Sequence, residues 1–107
     1  MNKIPQSELE VMKIIWENQE PVSSKIVTTK LTEIKGWART TTLTLLSRLV
    51  EKGFLNADAT KRCTHYTSNV KKEDYLLYAT KNFLNDVFNK DINELEKMVI
   101  KIKETEK

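Results

Sequence analysis

Apolar residues recur at helical spacing in three stretches of the first 55 residues, each bounded by turn-forming residues. Leu9, Met12, Ile15 and Trp16 make the first stretch, and Ser7 followed by Glu10 supplies a capping-box pattern ahead of it. The spacing predicts a helix ending near Asn18–Gln19, with Pro21 in the break. Ser23 or Ser24 can cap a second helix carrying Ile26, Val27, Leu31 and Ile34, closed by Gly36. A third helix opens near Thr40 and stops at Gly53, after a turn of only Gly36 to about Arg39, the length found in helix-turn-helix motifs. Two short runs, FLNAD and KRCTHYT, flank a polar turn around Asp58–Lys61 and read as a β-hairpin. Helical spacing then returns from Lys71 onward. The pattern predicts a mainly α chain with a small β-hairpin: a winged helix-turn-helix over residues 1–70 and a helical region over 71–107.

The third helix begins with Thr40, Thr41 and Thr42 and adds Thr44, although β-branched residues lose side-chain freedom in a helix. Placing residues at ~100° intervals separates two faces. Thr42, Leu43, Leu45, Leu46, Leu49 and Val50 fall on the core side, so Thr42 is expected to pack inward through its methyl. Thr40, Thr41, Thr44, Ser47, Arg48, Glu51 and Lys52 fall outward. In helix-turn-helix proteins the N-terminal residues of this helix enter the major groove. Threonine suits that place: it is short, its hydroxyl bonds a base edge or phosphate, and its methyl packs on the thymine methyl. The bland reading is a threonine-rich terminus that serves capping and solubility.

Charge sharpens the picture. The net charge is +3, but residues 1–35 balance at zero and residues 73–107 carry six basic against eight acidic side chains. Residues 36–72 hold Arg39, Arg48, Lys52, Lys61, Arg62, Lys71 and Lys72 against only Glu51 and Asp58. A basic excess confined to one third of the chain is the electrostatic footprint of a nucleic-acid binder, or merely a solvated basic face. Lys61 and Arg62 fall on the tip or return side of the hairpin, where they can hold the DNA backbone without reading sequence.

Phe88, Ile92, Leu95, Val99 and Ile102 alternate at spacings of a coiled-coil seam, and Tyr75, Leu76, Phe83, Leu84 and Val87 extend an apolar stripe upstream. A homodimer is expected, built by Tyr75, Phe83, Leu84, Val87, Phe88, Ile92, Leu95, Val99 and Ile102. Asn89–Asp91 can divide the tail into two helices, with Asp91 capping the second and Glu94 completing the box.

Other chemistry is scarce. The single cysteine allows no intrachain disulfide, which fits a reducing cytoplasm, and neither a membrane span nor a signal peptide is expected. Cys63 and His65 would share a face of a strand, yet a structural metal site needs about four ligands and the chain has no other Cys or His. The two glycines are both used as helix stops, so no phosphate-cradling loop is available. No catalytic constellation, metal site or cofactor is expected.

The stretches LEVMKIIW (Leu9 to Trp16) and TTTLTLLSRLVEKGFL (Thr40 to Leu55), with the later NV…DY and FLN, resemble the penicillinase and methicillin-resistance repressor (BlaI/MecI) family, which includes copper-transport repressors. Trp16, Trp37, Thr41, Thr44, Leu45, Arg48, Leu49, Lys52, Gly53 and Tyr66 fall in register, and the match covers most of residues 4–88. The resemblance implies a cytoplasmic, dimeric winged-helix repressor that binds a dyad operator with TACA/TGTA-type half-sites. It would switch off β-lactam-resistance, copper-efflux or related genes. It carries groove contacts to Thr41 and Thr44, the place just ahead of the recognition helix to Trp37, the basic wing to Arg62, and a packing role to Tyr66. The DNA-binding set is therefore Trp37, Arg39, Thr40, Thr41, Thr44, Arg48, Lys61 and Arg62.

Departures from the family pattern also carry expectations. Lys61 stands where a glycine is frequent, changing the turn and adding charge. The copper branch's terminal cysteine cluster has no counterpart. The tail is about one helix shorter than in the β-lactam branch, which argues against induction by cleavage there. The rival expectations are a winged-helix protein-interaction module without DNA binding, and a repressor that senses a ligand or metal directly.

Overall fold

The computed structural model describes residues 1–106, which divide into a compact unit, Asn2–Lys72, and a helical unit from Glu73 onward. In the first unit α1 (Gln6–Glu17) starts one residue before the expected cap. Pro5 is its N-cap, and the Pro5 carbonyl accepts the Leu9 amide at 2.8 Å. Proline's fixed φ directs the chain into the helix at that point, so Ser7 lies inside the first turn and caps nothing. Glu10 instead accepts from the Gln6 side chain at 3.1 Å. The buried face is Val11, Met12, Ile14 and Ile15, joined by Glu8, while Leu9 and Trp16 lie at its margin. The Trp16 indole N–H donates to the Val70 carbonyl at 2.9 Å.

β1 (Val22–Ser23) follows, then α2 (Ser24–Lys35). Ser23 is the α2 cap, its hydroxyl accepting from the Ile26 amide at 3.2 Å. Gly36 ends the helix at φ +70°, a left-handed conformation that glycine adopts without strain. Val27 and Leu31 are buried as expected, but Ile26 and Ile34 are 42% and 60% exposed. Ser24 and Thr28 take the expected places of these isoleucines on the inner face. The turn leads into α3 (Arg39–Glu51), which buries Thr42, Leu45, Leu46 and Leu49. Gly53, at φ +85°, closes it, and the Phe54 amide bonds back to the Leu49 carbonyl at 2.9 Å.

β2 (Leu55–Asp58) and β3 (His65–Ser68) form the hairpin, in register Ala57 opposite Tyr66 and Asp58 opposite His65. β1 pairs with the other edge of β3, Val22 opposite Tyr66, so the sheet has three antiparallel strands in the order β1-β3-β2. Cys63 lies in the connecting loop and not on β3, so it shares no strand face with His65. The three helices pack on one another, and α1 and α3 also meet the sheet. Met12, Ile15, Leu31, Leu46, Leu49 and Leu55 are fully buried between them. At the edge of this core Lys52 reaches the buried Glu8 carboxylate at 2.7 Å. Three helices and a small sheet in this order make the winged helix-turn-helix that the pattern predicts.

The second unit consists of α4 (Lys72–Phe88) and α5 (Ile92–Thr105). Asn89 and Lys90 adopt left-handed φ values of 48° and 69°, the Asp91 amide bonds to the Phe88 carbonyl, and the chain is thereby turned out of α4. Asp91 caps α5 by accepting from the Glu94 amide at 3.1 Å. The seam spacing thus crosses a helix break between Phe88 and Ile92, leaving Ile92, Leu95, Val99 and Ile102 as the stripe carried by α5. Ile92, Val99 and Ile102 are exposed, as are Leu76, Phe83 and Val87 on α4. Tyr75 is a correction: it is only 3% exposed in the single chain and has little surface left for a partner. Its ring lies beside that of Tyr78 on the same helix, with ring centres 6.0 Å apart.

Candidate nucleic-acid interface

The outer face of α3 is set by helical geometry. Burial of Thr42, Leu45, Leu46 and Leu49 turns Arg39, Thr40, Thr41, Thr44, Ser47 and Arg48 to the surface. Thr40, Thr41, Thr44, Leu45 and Arg48 line a shallow depression of about 280 Å³. Leu45 gives it an apolar floor, the threonines give it hydroxyls and methyls, and Arg48 places a cation at one side. Four of the expected contact residues are therefore brought together. Arg39 is exposed outside that depression, at the start of the helix. Trp37 is half-buried in the preceding turn, where its carbonyl accepts the Thr32 hydroxyl at 2.9 Å.

The start of α3 is open. Its N-cap is Ala38, whose side chain cannot cap, and the first turn holds no acid. The Thr41 and Thr42 amides fold back on the Ala38 carbonyl at 3.0 and 3.3 Å. The positive end of the helix dipole thus faces solvent among hydroxyls, an arrangement suited to a phosphate or a base edge. Within the face the hydroxyls differ: Thr44 Oγ1 donates to the Thr40 carbonyl at 2.9 Å, whereas no hydrogen bond holds the Thr41 hydroxyl among the described residues.

Lys61 and Arg62 are exposed on the β2–β3 loop, outside the depression on α3. Where the loop begins, Asp58 Oδ1 accepts from the Thr60 hydroxyl at 2.6 Å and its amide at 2.9 Å. These two bonds hold the Asp58 carboxyl below its usual range, and the nearby Lys61 and His65 charges act in the same direction. Where it ends, His65 Nδ1 donates to the Cys63 carbonyl at 2.8 Å. Both ends of the wing loop are therefore pinned, and its basic tip is presented between them.

The sequence pattern assigned no role to the outer face of α2, where Lys25, Ile26, Thr29, Lys30 and Glu33 line a depression of about 320 Å³. The zero charge balance of residues 1–35 conceals that Lys25 and Lys30 share this face. Among the described residues no group of three or more His, Cys, Asp or Glu is placed to hold a metal ion, and no helix is long and apolar enough to cross a membrane.

A family model described as penicillinase repressor matches residues 4–107. The chain is 37% identical over 98 residues to the penicillinase repressor of Bacillus licheniformis, spanning 89% of this chain and 76% of that one. It is 32% identical over 93 residues to the methicillin resistance regulatory protein MecI of Staphylococcus aureus, spanning 87% and 75%. Among solved structures it is similar to the DNA-binding domain of the repressor BlaI, with TM-score 0.59 and 40% identity over 70% of this chain and 94% of that one. It is equally similar, at TM-score 0.59 and 36% identity, to the Bacillus licheniformis BlaI monomer in complex with the blaP half-operator, over 69% and 89% of the two chains.

Proposed function

The chain belongs to the penicillinase repressor family, and from that premise we propose a DNA-binding transcriptional repressor that occupies a dyad operator as a homodimer. It acts in the cytoplasm on genes for β-lactam resistance, copper efflux or a related defence. The function is binding and not catalysis, in keeping with a family of repressors. The α3 threonine face is the observation that carries this reading: short hydroxyl-bearing side chains surround an open, acid-free helix N-terminus, and Arg48 stands beside them. Thr40, Thr41 and Thr44 enter the major groove, and Arg48 and Arg39 reach flanking phosphates. Trp37 holds the start of the helix against the backbone. Lys61 and Arg62 lie along the phosphates beside the groove and fix the register of the domain. Two copies join through the exposed stripes of α4 and α5, so that protein and operator share a two-fold axis.

The test is selection of bound fragments from random duplex DNA, followed by a salt titration on the selected duplex and on mixed sequence. The selected sites should be dyads with half-sites one helical turn or a multiple apart. Affinity should fall linearly with salt on a logarithmic plot. Thr41→Ala/Thr44→Ala should keep the salt-dependent binding to mixed DNA and lose most of the preference for the selected site. A double variant that stays equally selective would remove these threonines from the readout. A salt response that is flat on every duplex would favour a protein-interaction module.

A further inference from the structure

The hydroxyls on the α3 face are not equivalent, and the difference follows from position in the helix. Thr44 lies one turn inside α3, where the Thr40 carbonyl four residues earlier stands within reach and takes its proton at 2.9 Å. The same back-bond recurs at two other exposed helical threonines: Thr80 donates to the Leu76 carbonyl at 2.7 Å and Thr105 to the Lys101 carbonyl at 3.0 Å. Thr41 sits in the first turn. The carbonyl four residues before it belongs to Trp37, outside the helix and already accepting the Thr32 hydroxyl at 2.9 Å.

A threonine hydroxyl has one proton and two lone pairs. With its proton committed to the helix backbone, Thr44 has only lone pairs to offer the groove. We propose that Thr44 reads its base as a hydrogen-bond acceptor, selecting an exocyclic amine, adenine N6 or cytosine N4, over guanine and thymine edges that present acceptors at that height. Thr41, whose proton is free, accommodates either polarity. The pair therefore gives the recognition face a fixed donor–acceptor sense that the residue names alone do not carry. This inference rests on the proposed insertion of α3 into the major groove.

The experiment removes single exocyclic amines from the selected duplex. Each adenine of a half-site is replaced in turn by unsubstituted purine, and each cytosine by pyrimidin-2-one, so the two arms tell which amine is read. Affinity is measured for the wild type, Thr44→Val and Thr44→Ser, with circular dichroism melts to confirm folding. One deletion per half-site should weaken the wild type and Thr44→Ser by about three- to tenfold, the worth of a neutral hydrogen bond. Thr44→Val should be indifferent to that same deletion. A wild type insensitive to every amine deletion overturns the inference, and so does a Thr44→Val protein that loses as much as the wild type. In both cases selective, salt-dependent binding of the unmodified duplex leaves the repressor reading standing. Failure to prefer the selected duplex over mixed DNA overturns both.

Discussion

Thr42 stands between Thr41 and Leu43 in the chain, yet it is fully buried and its hydroxyl finds no hydrogen-bond partner among the described residues. Its inward direction was readable from the phase of the leucines, since one helical turn separates it from Leu45 and Leu46. The unsatisfied oxygen was not readable, because that depends on which neighbouring atoms surround it. An unpaired buried hydroxyl lowers stability, and valine has nearly the same shape without the polar atom. Thr42→Val should therefore stabilise the winged unit by about 1 kcal/mol and raise its thermal midpoint by several degrees, with DNA selectivity unchanged. A lower midpoint would mean that the hydroxyl does have a partner. Tyr66 offers a second test. Burial raises its phenol above the ordinary value of 10.0, so the native state keeps the proton at a pH where the unfolded chain has released it. The sign is fixed by linkage: this stability is intact below about pH 10 and declines as pH rises above the unfolded value. Urea melts at pH 9 and 11 should show that loss in the wild type, and Tyr66→Phe should show a smaller one.

At the scale of elements, periodicity identified the three helices of the winged unit and the helical character of the tail, and strand-type runs around a polar turn identified the hairpin. The division of the tail into α4 and α5, the helix ends and the smallest strand depended on other physics. Proline at position 5 displaced the expected Ser7 cap because fixed backbone geometry acts before a side chain can bond. β1 has two residues, too few for any alternation to be visible, and exists because its Val22 packs in the core and pairs with Tyr66. The hairpin's six-residue loop, 59–64, withdrew Cys63 from the strand where alternation had placed it. The outer face of α3 was legible for the opposite reason: four buried positions within one helix leave no freedom in where the others point. Loop position needs its own measurement. Replacing Lys61 and Arg62 by alanine should flatten the logarithmic salt slope by about 2 for each subunit, about 4 for the bound dimer, one for each phosphate no longer neutralised, on selected and mixed duplex alike. An unchanged slope would place the loop off the DNA backbone, whatever the affinity does.

Across the whole molecule, charge and apolar surface are divided. The basic excess lies within residues 36–72, and the helical region beyond is net acidic, which disfavours that region as a DNA contact. What it exposes instead is apolar: Ile92, Val99 and Ile102 on one stripe of α5, and Leu76, Phe83 and Val87 on one stripe of α4. Stripes of this kind left to water lower solubility and stability, and a second copy covers identical stripes at once. A dyad operator then gains from the joining itself. After one half-site is occupied the second binds intramolecularly, at an effective concentration near millimolar, so avidity exceeds single-site affinity by about 10²–10⁴. Val99→Asp buries a charge at the centre of the α5 stripe only if two copies meet there. The variant should sediment as a monomer and lose about 10²-fold or more on the full dyad, while its affinity for an isolated half-site stays that of the wild type. Because Val99 is exposed in the single chain, its winged unit should melt as before. A Val99→Asp protein that remains a dimer at micromolar concentration would move the subunit contact away from α5, and the exposed stripe on α4 would then be the surface to mutate next.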